Sequence, residues 1–101
     1  MRIVAPEKPP DDSPDQGAAG FDRILTQDVD WAIEFVTDKF GSRPRWVLMH
    51  LEDLWIWAKK RGLEMPEGKA WAYVELDNGV KVTWGKLVPR NVIALGPYRQ
   101  R

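Results

Sequence analysis

Apolar residues return at helical spacing between Val29 and Phe40. Val29, Ala32, Ile33, Val36 and Phe40 fall at i, i+3, i+4, i+7 and i+11, one stripe down an α-helix. Thr26 is placed to cap that helix, Asp28 and Asp30 stand in the first turn where the helix dipole favours anions, and Gly41 ends it. Trp31 and Phe35, four apart, form a second apolar line that either widens the core face or stands out as a docking ridge. Residues 44–61 admit two readings. Pro44 at a first helical position would open one long helix to Arg61. Trp46-Val47-Leu48-Met49, however, is apolar on every side, which predicts a short buried strand from Arg45 to Met49 and then a helix from Leu51 to Arg61. Glu52 and Asp53 fall in the first turn of that helix, Lys59, Lys60 and Arg61 in its last, and Gly62 closes it. Leu51, Leu54, Trp55 and Ala58 are its expected core stripe, with Ile56 and Trp57 aimed elsewhere.

Beyond Pro66 the period changes to two. Trp71, Tyr73 and Glu75 share one face, and Ala70, Ala72, Val74 and Leu76 the other. Asp77-Asn78-Gly79 is a hairpin signal, because Asn and Gly accept the positive φ that a tight turn demands. Val80, Val82 and Trp84 give the returning strand its apolar face, and Val92–Leu95 is a last strand stopped by Gly96-Pro97. Residues 1–20 have a different character. They hold Pro6, Pro9, Pro10 and Pro14, half of the eight prolines, with Asp11, Asp12, Asp15, Gly17 and Gly20, and few large apolar residues. Proline fixes φ and removes a donor, so the expectation is an extended or disordered arm. The predicted architecture is α+β: two helices packed on a small, mostly antiparallel sheet with a C-terminal hairpin, as a single domain over 21–101 behind an N-terminal arm over 1–20.

Composition adds six tryptophans (Trp31, Trp46, Trp55, Trp57, Trp71, Trp84), no cysteine and one histidine in 101 residues. A buried aromatic hides roughly 150–250 Å². So small a domain has little interior for six indoles, and some are expected at the surface, where tryptophan favours partner contacts. Without cysteine there are no disulfides, thiolate nucleophiles or Cys-based metal sites. Fifteen acids and fifteen bases cancel, so no global field draws the chain to nucleic acid or lipid. Along the chain they separate. Asp22–Asp38 holds five acids against Arg23, whereas no acid follows Asp77 and Lys81, Lys86, Arg90, Arg99 and Arg101 do. The two ends either face each other within one fold, stay solvated, or meet head to tail between subunits. No apolar run approaches the roughly 18 residues of a membrane span, and Met1–Pro6 lacks a signal-peptide core. A soluble, intracellular protein is expected.

Candidate chemistry is sparse. His50, Glu52 and Asp53 are the only local set resembling a site, with His50 as a general base; a capping histidine beside dipole-compensating acids accounts for the same residues. No nucleophile motif, phosphate loop or second histidine is present, so the chain is expected to be no enzyme and to carry no cofactor or metal. Trp84 and Tyr98 among the acid-free tail cations point to nucleic-acid binding, so the alternative is a small regulatory or nucleic-acid-binding module, the former acting on a host enzyme.

Leu25-Thr26-Gln27-Asp28-Val29-Asp30-Trp31-Ala32-Ile33, then Pro44–His50, Leu51–Ala58 and finally Val88–Pro97, form a sequence of pieces. Together they resemble the axial-domain stretch of tailed-bacteriophage major capsid proteins, whose fold encapsulins share. In that family a helix leads to a buried strand that ends at the start of the next helix, as Met49-His50 does here. The resemblance covers roughly residues 25–97. Leu51 stands where those proteins often carry proline, and their long spine helix and extended loop have no counterpart. What the resemblance implies is therefore a small virion or protein-shell component, found in host cytoplasm and then in the particle, with self or other shell subunits as partners. The expected contact residues are Trp31, Phe35, Trp57, Pro9, Pro10, Arg90, Arg99 and Arg101.

Overall fold

The computed structural model describes residues 1–5, 21–65 and 72–96. The elements run β1 (Arg2–Val4), β2 (Asp22–Ile24), α1 (Val29–Phe40), β3 (Trp46–Met49), α2 (Leu51–Lys60), β4 (Tyr73–Glu75), β5 (Lys81–Trp84) and β6 (Ile93–Gly96). The strands form one sheet in the order β1-β4-β5-β3-β6-β2. Only β3 and β5 pair in parallel; the other four pairings are antiparallel. The α+β architecture read from the sequence is the one observed, including the strand-then-helix division at His50.

Both helices lie on one face of the sheet. Val29, Ala32, Ile33 and Val36 of α1, with Leu54, Trp57 and Ala58 of α2, pack on Val47, Met49, Val74, Val82, Ile93 and Leu95. The opposite face is also apolar at its centre, where Leu48 and Ala94 meet Val88, Val92 and Phe21. Because β3 is covered on both faces, all four of its residues are buried, and that is why its sequence does not alternate. Trp46, wholly buried, meets Tyr73 edge to face at 5.4 Å, and the Lys81 ammonium lies 5.1 Å over its ring.

Local chemistry sets the boundaries. The cap of α1 is Asp28, whose carboxylate accepts from the Trp31 N–H at 3.0 Å; Thr26, the expected cap, instead accepts from the Asp28 N–H at 3.1 Å. At the hairpin, Leu76 and Val80 pair across Asp77-Asn78-Gly79. Gly79 takes φ 85°, and the Asn78 side chain accepts from the Val80 N–H at 3.0 Å.

Two expectations need correction, and one strand was not anticipated. Arg2–Val4, assigned to the arm, forms β1 and pairs with Tyr73–Glu75 at one edge. Asp22–Ile24 forms the other edge strand, which three residues of unremarkable composition did not announce. The buried stripe of α2 is Asp53, Leu54, Trp57 and Ala58, whereas Leu51 and Trp55 are exposed. Turning the helix so that Trp57 faces the core also turns Asp53 inward.

Candidate partner surface

Four of the six tryptophans divide cleanly. Trp46 and Trp57 are buried, at 0 and 7 % exposure, while Trp31 and Trp55 stand at 47 and 54 %. On α1, Trp31 and Phe35 stack in the open with ring centroids 5.2 Å apart. The line therefore stands out from the core as an exposed ridge instead of widening the core face. Leu51, Trp55 and Ile56 expose a second apolar strip on α2. Trp57 is not a surface contact. Its ring faces the core with the Arg61 guanidinium 5.0 Å above it, and its buried indole N–H has no acceptor among the described residues.

One end of the sheet is clamped by a buried carboxylate. Ile24, Ile93, Met49 and Trp84 lie in a row across β2, β6, β3 and β5. The segments leaving that row, 25–28, 50–53 and 85–92, therefore gather at one edge. Asp53, 3 % exposed, holds them together. One of its oxygens accepts from Arg90 Nε at 2.6 Å and Gln27 Nε2 at 3.3 Å, and the other from the Asn91 backbone N–H at 2.7 Å. Arg90 also donates to Glu52, and Gln27 to the Asn91 side chain at 2.6 Å. The Asp53 hydrogen bond, then the nearby carboxylate charges, raise the Arg90 guanidinium above its ordinary range. Each of the three segments bears an exposed leucine: Leu25, Leu51 and Leu87.

In the local set around His50, its Nδ1 accepts from the Glu52 N–H at 3.1 Å, so the imidazole caps α2. Arg90, expected as a tail cation, is a member of the clamp. Pro9, Pro10, Arg99 and Arg101 lie outside the described residues.

A groove at the opposite end of the sheet was not anticipated. It encloses about 610 Å³ between the end of α1 and the β4–β5 hairpin, and its charged lining is Arg43, Arg45 and Lys81. No carboxylate lines it among the described residues. Arg43 is anchored there by a bond to the Asn78 carbonyl at 3.2 Å. The pair flanking Pro44 was visible in the sequence, but Lys81 joins it only because β3 and β5 run in parallel with Trp46 opposite Lys81.

Among the described residues, no group of three or more His, Cys, Asp or Glu is placed to hold a metal ion, and no helix is long and apolar enough to cross a membrane. Comparison with protein-family models, curated proteins and solved structures gave no significant match.

Proposed function

We propose that this chain is a non-enzymatic assembly protein, a small component of a phage-like virion or protein shell that docks on neighbouring subunits through aromatic side chains. The observation that carries the reading is the stacked pair Trp31–Phe35, held in the open on a helix whose other face is fully engaged in the core. Large rings left in water at helical spacing are costly to keep exposed and are enriched where partners bind. The virion setting comes from the resemblance to capsid axial domains over residues 25–97. It is tested by mass spectrometry of purified particles and by sedimentation of the isolated chain. A Trp31→Ala/Phe35→Ala variant keeps its circular dichroism and loses the associated species if the reading is right. Retention of full association by that variant refutes it.

The groove lined by Arg43, Arg45 and Lys81 favours a second reading, a small nucleic-acid-binding or regulatory module. Binding to single-stranded DNA that weakens steeply with salt, with no protein partner in the particle, is the result that selects it.

A further inference from the structure

We infer that the partner of the α1 ridge is a second copy of this chain, docked head to tail with the ridge seated in the basic groove; the inference rests on the assembly reading above and names its partner. The outward face of α1 carries Trp31, Glu34, Phe35 and Asp38, all exposed. They stand at i, i+3, i+4 and i+7, the spacing by which a helix presents anchors to a groove. The other acids of this helix end are occupied: Asp28 caps α1, and Asp30 accepts from Arg61 at 2.8 Å. Glu34 and Asp38 have no partner among the described residues. The ridge is thus two stacked rings flanked by two carboxylates.

The groove presents the complementary chemistry. A guanidinium pairs with a carboxylate through parallel N–H donors and stacks on an indole face, so Arg43 and Arg45 suit both kinds of ridge residue. Lys81 adds a third positive charge. Thr37 and Gly41, at the end of α1, form part of the groove wall. Because the buried stripe of α1 pins its outward face away from the sheet, the ridge cannot turn into the groove of its own chain. Two different surfaces meeting in this way make a heterologous contact, which closes to a ring or grows as a filament according to the rotation between copies. The acid-rich and acid-poor halves of the sequence set the polarity of encounter.

The test uses sedimentation velocity of the full chain across concentration and salt, with two charge reversals, Glu34→Lys/Asp38→Lys and Arg43→Glu/Arg45→Glu. The wild type associates, more weakly at high salt. Each reversed variant alone associates about 10- to 100-fold more weakly, since ridge and groove then share a sign. Mixing the two restores association, because each supplies the complement the other needs. If the Arg43 change costs the fold through its Asn78 bond, Arg45→Glu alone serves in its place. Association untouched by either reversal overturns the ridge–groove contact and leaves the assembly reading standing. Two variants that fail alone and also fail when mixed overturn it as well. A wild type that stays monomeric at every concentration ends the self-docking inference and confines assembly to a different subunit.

Discussion

Replacing Asp53 tests whether the clamp at the row Ile24–Ile93–Met49–Trp84 organises that end of the domain. The carboxylate is almost completely buried, and both oxygens accept. In Asp53→Ala the bond from the Asn91 N–H, at 2.7 Å, is lost outright. A hydrogen bond to a charged group contributes about 1.5–3 kcal/mol. The longer Gln27 bond adds about 0.5 kcal/mol at most. Arg90 adds nothing to this figure, because its exposed guanidinium keeps Glu52 and water. The expected loss is therefore about 2–3 kcal/mol. For a domain of this size that lowers the melting temperature by roughly 10–20 °C. Asp53→Asn is nearly as costly despite its matching shape, because its amide NH₂ must face either the Asn91 N–H or Arg90. Thermal melts and urea titrations followed by tryptophan fluorescence measure both variants. If Asp53→Ala melts within about 2 °C of the wild type, the three segments are held by apolar packing and the clamp is incidental.

Gly85→Ala is expected to destabilise by about 1–3 kcal/mol through overpacking, since a Cβ there lies 2.7 Å from Val88 Cγ2 and 3.3 Å from Leu48. Adding Val88→Ala should recover part of that loss in chemical denaturation, and purely additive losses count against the steric account. Trp57→Ala should cost about 3–5 kcal/mol as a core truncation, whereas Trp31→Ala/Phe35→Ala leaves the urea midpoint nearly unchanged; the reverse order would mean that α2 turns a different face to the sheet. The Met1 ammonium, by its 2.6 Å bond and then its charge, holds Asp77 below the usual carboxylate range. A carboxyl lowered on folding stabilises above its unfolded-state pKa, and that contribution disappears as pH falls through the folded value. N-terminal acetylation should raise the Asp77 titration midpoint read by carboxyl NMR, and an unmoved midpoint disproves the contact.

The two helices, the buried strand between them and the hairpin were legible because each follows from local pattern: an apolar stripe ended by Gly41, four consecutive apolar residues at Trp46–Met49, and Asn78-Gly79 between alternating runs. The edge strands were not, because three-residue strands at sheet margins are set by the partner they pair with rather than by their own composition. Of the expected contact residues, Trp31 and Phe35 came together on one exposed face, while Trp57 went inside. The inward face of α2 includes Asp53, whose buried carboxylate meets Arg90 and Asn91, 37 and 38 residues later in the chain, a pairing no local stripe announces.

The sequence by itself determined the class of fold and the order of its main elements, since helical and strand periodicity, caps and turn residues act over a few neighbours. Tertiary structure alone decided which rings are covered, which charge is interred and which cations share a groove. Those outcomes depend on strand order, above all on β5 lying parallel to β3 and bringing Lys81 beside Arg43 and Arg45. No local pattern encodes such a juxtaposition, because its energy appears only when segments far apart in the chain meet.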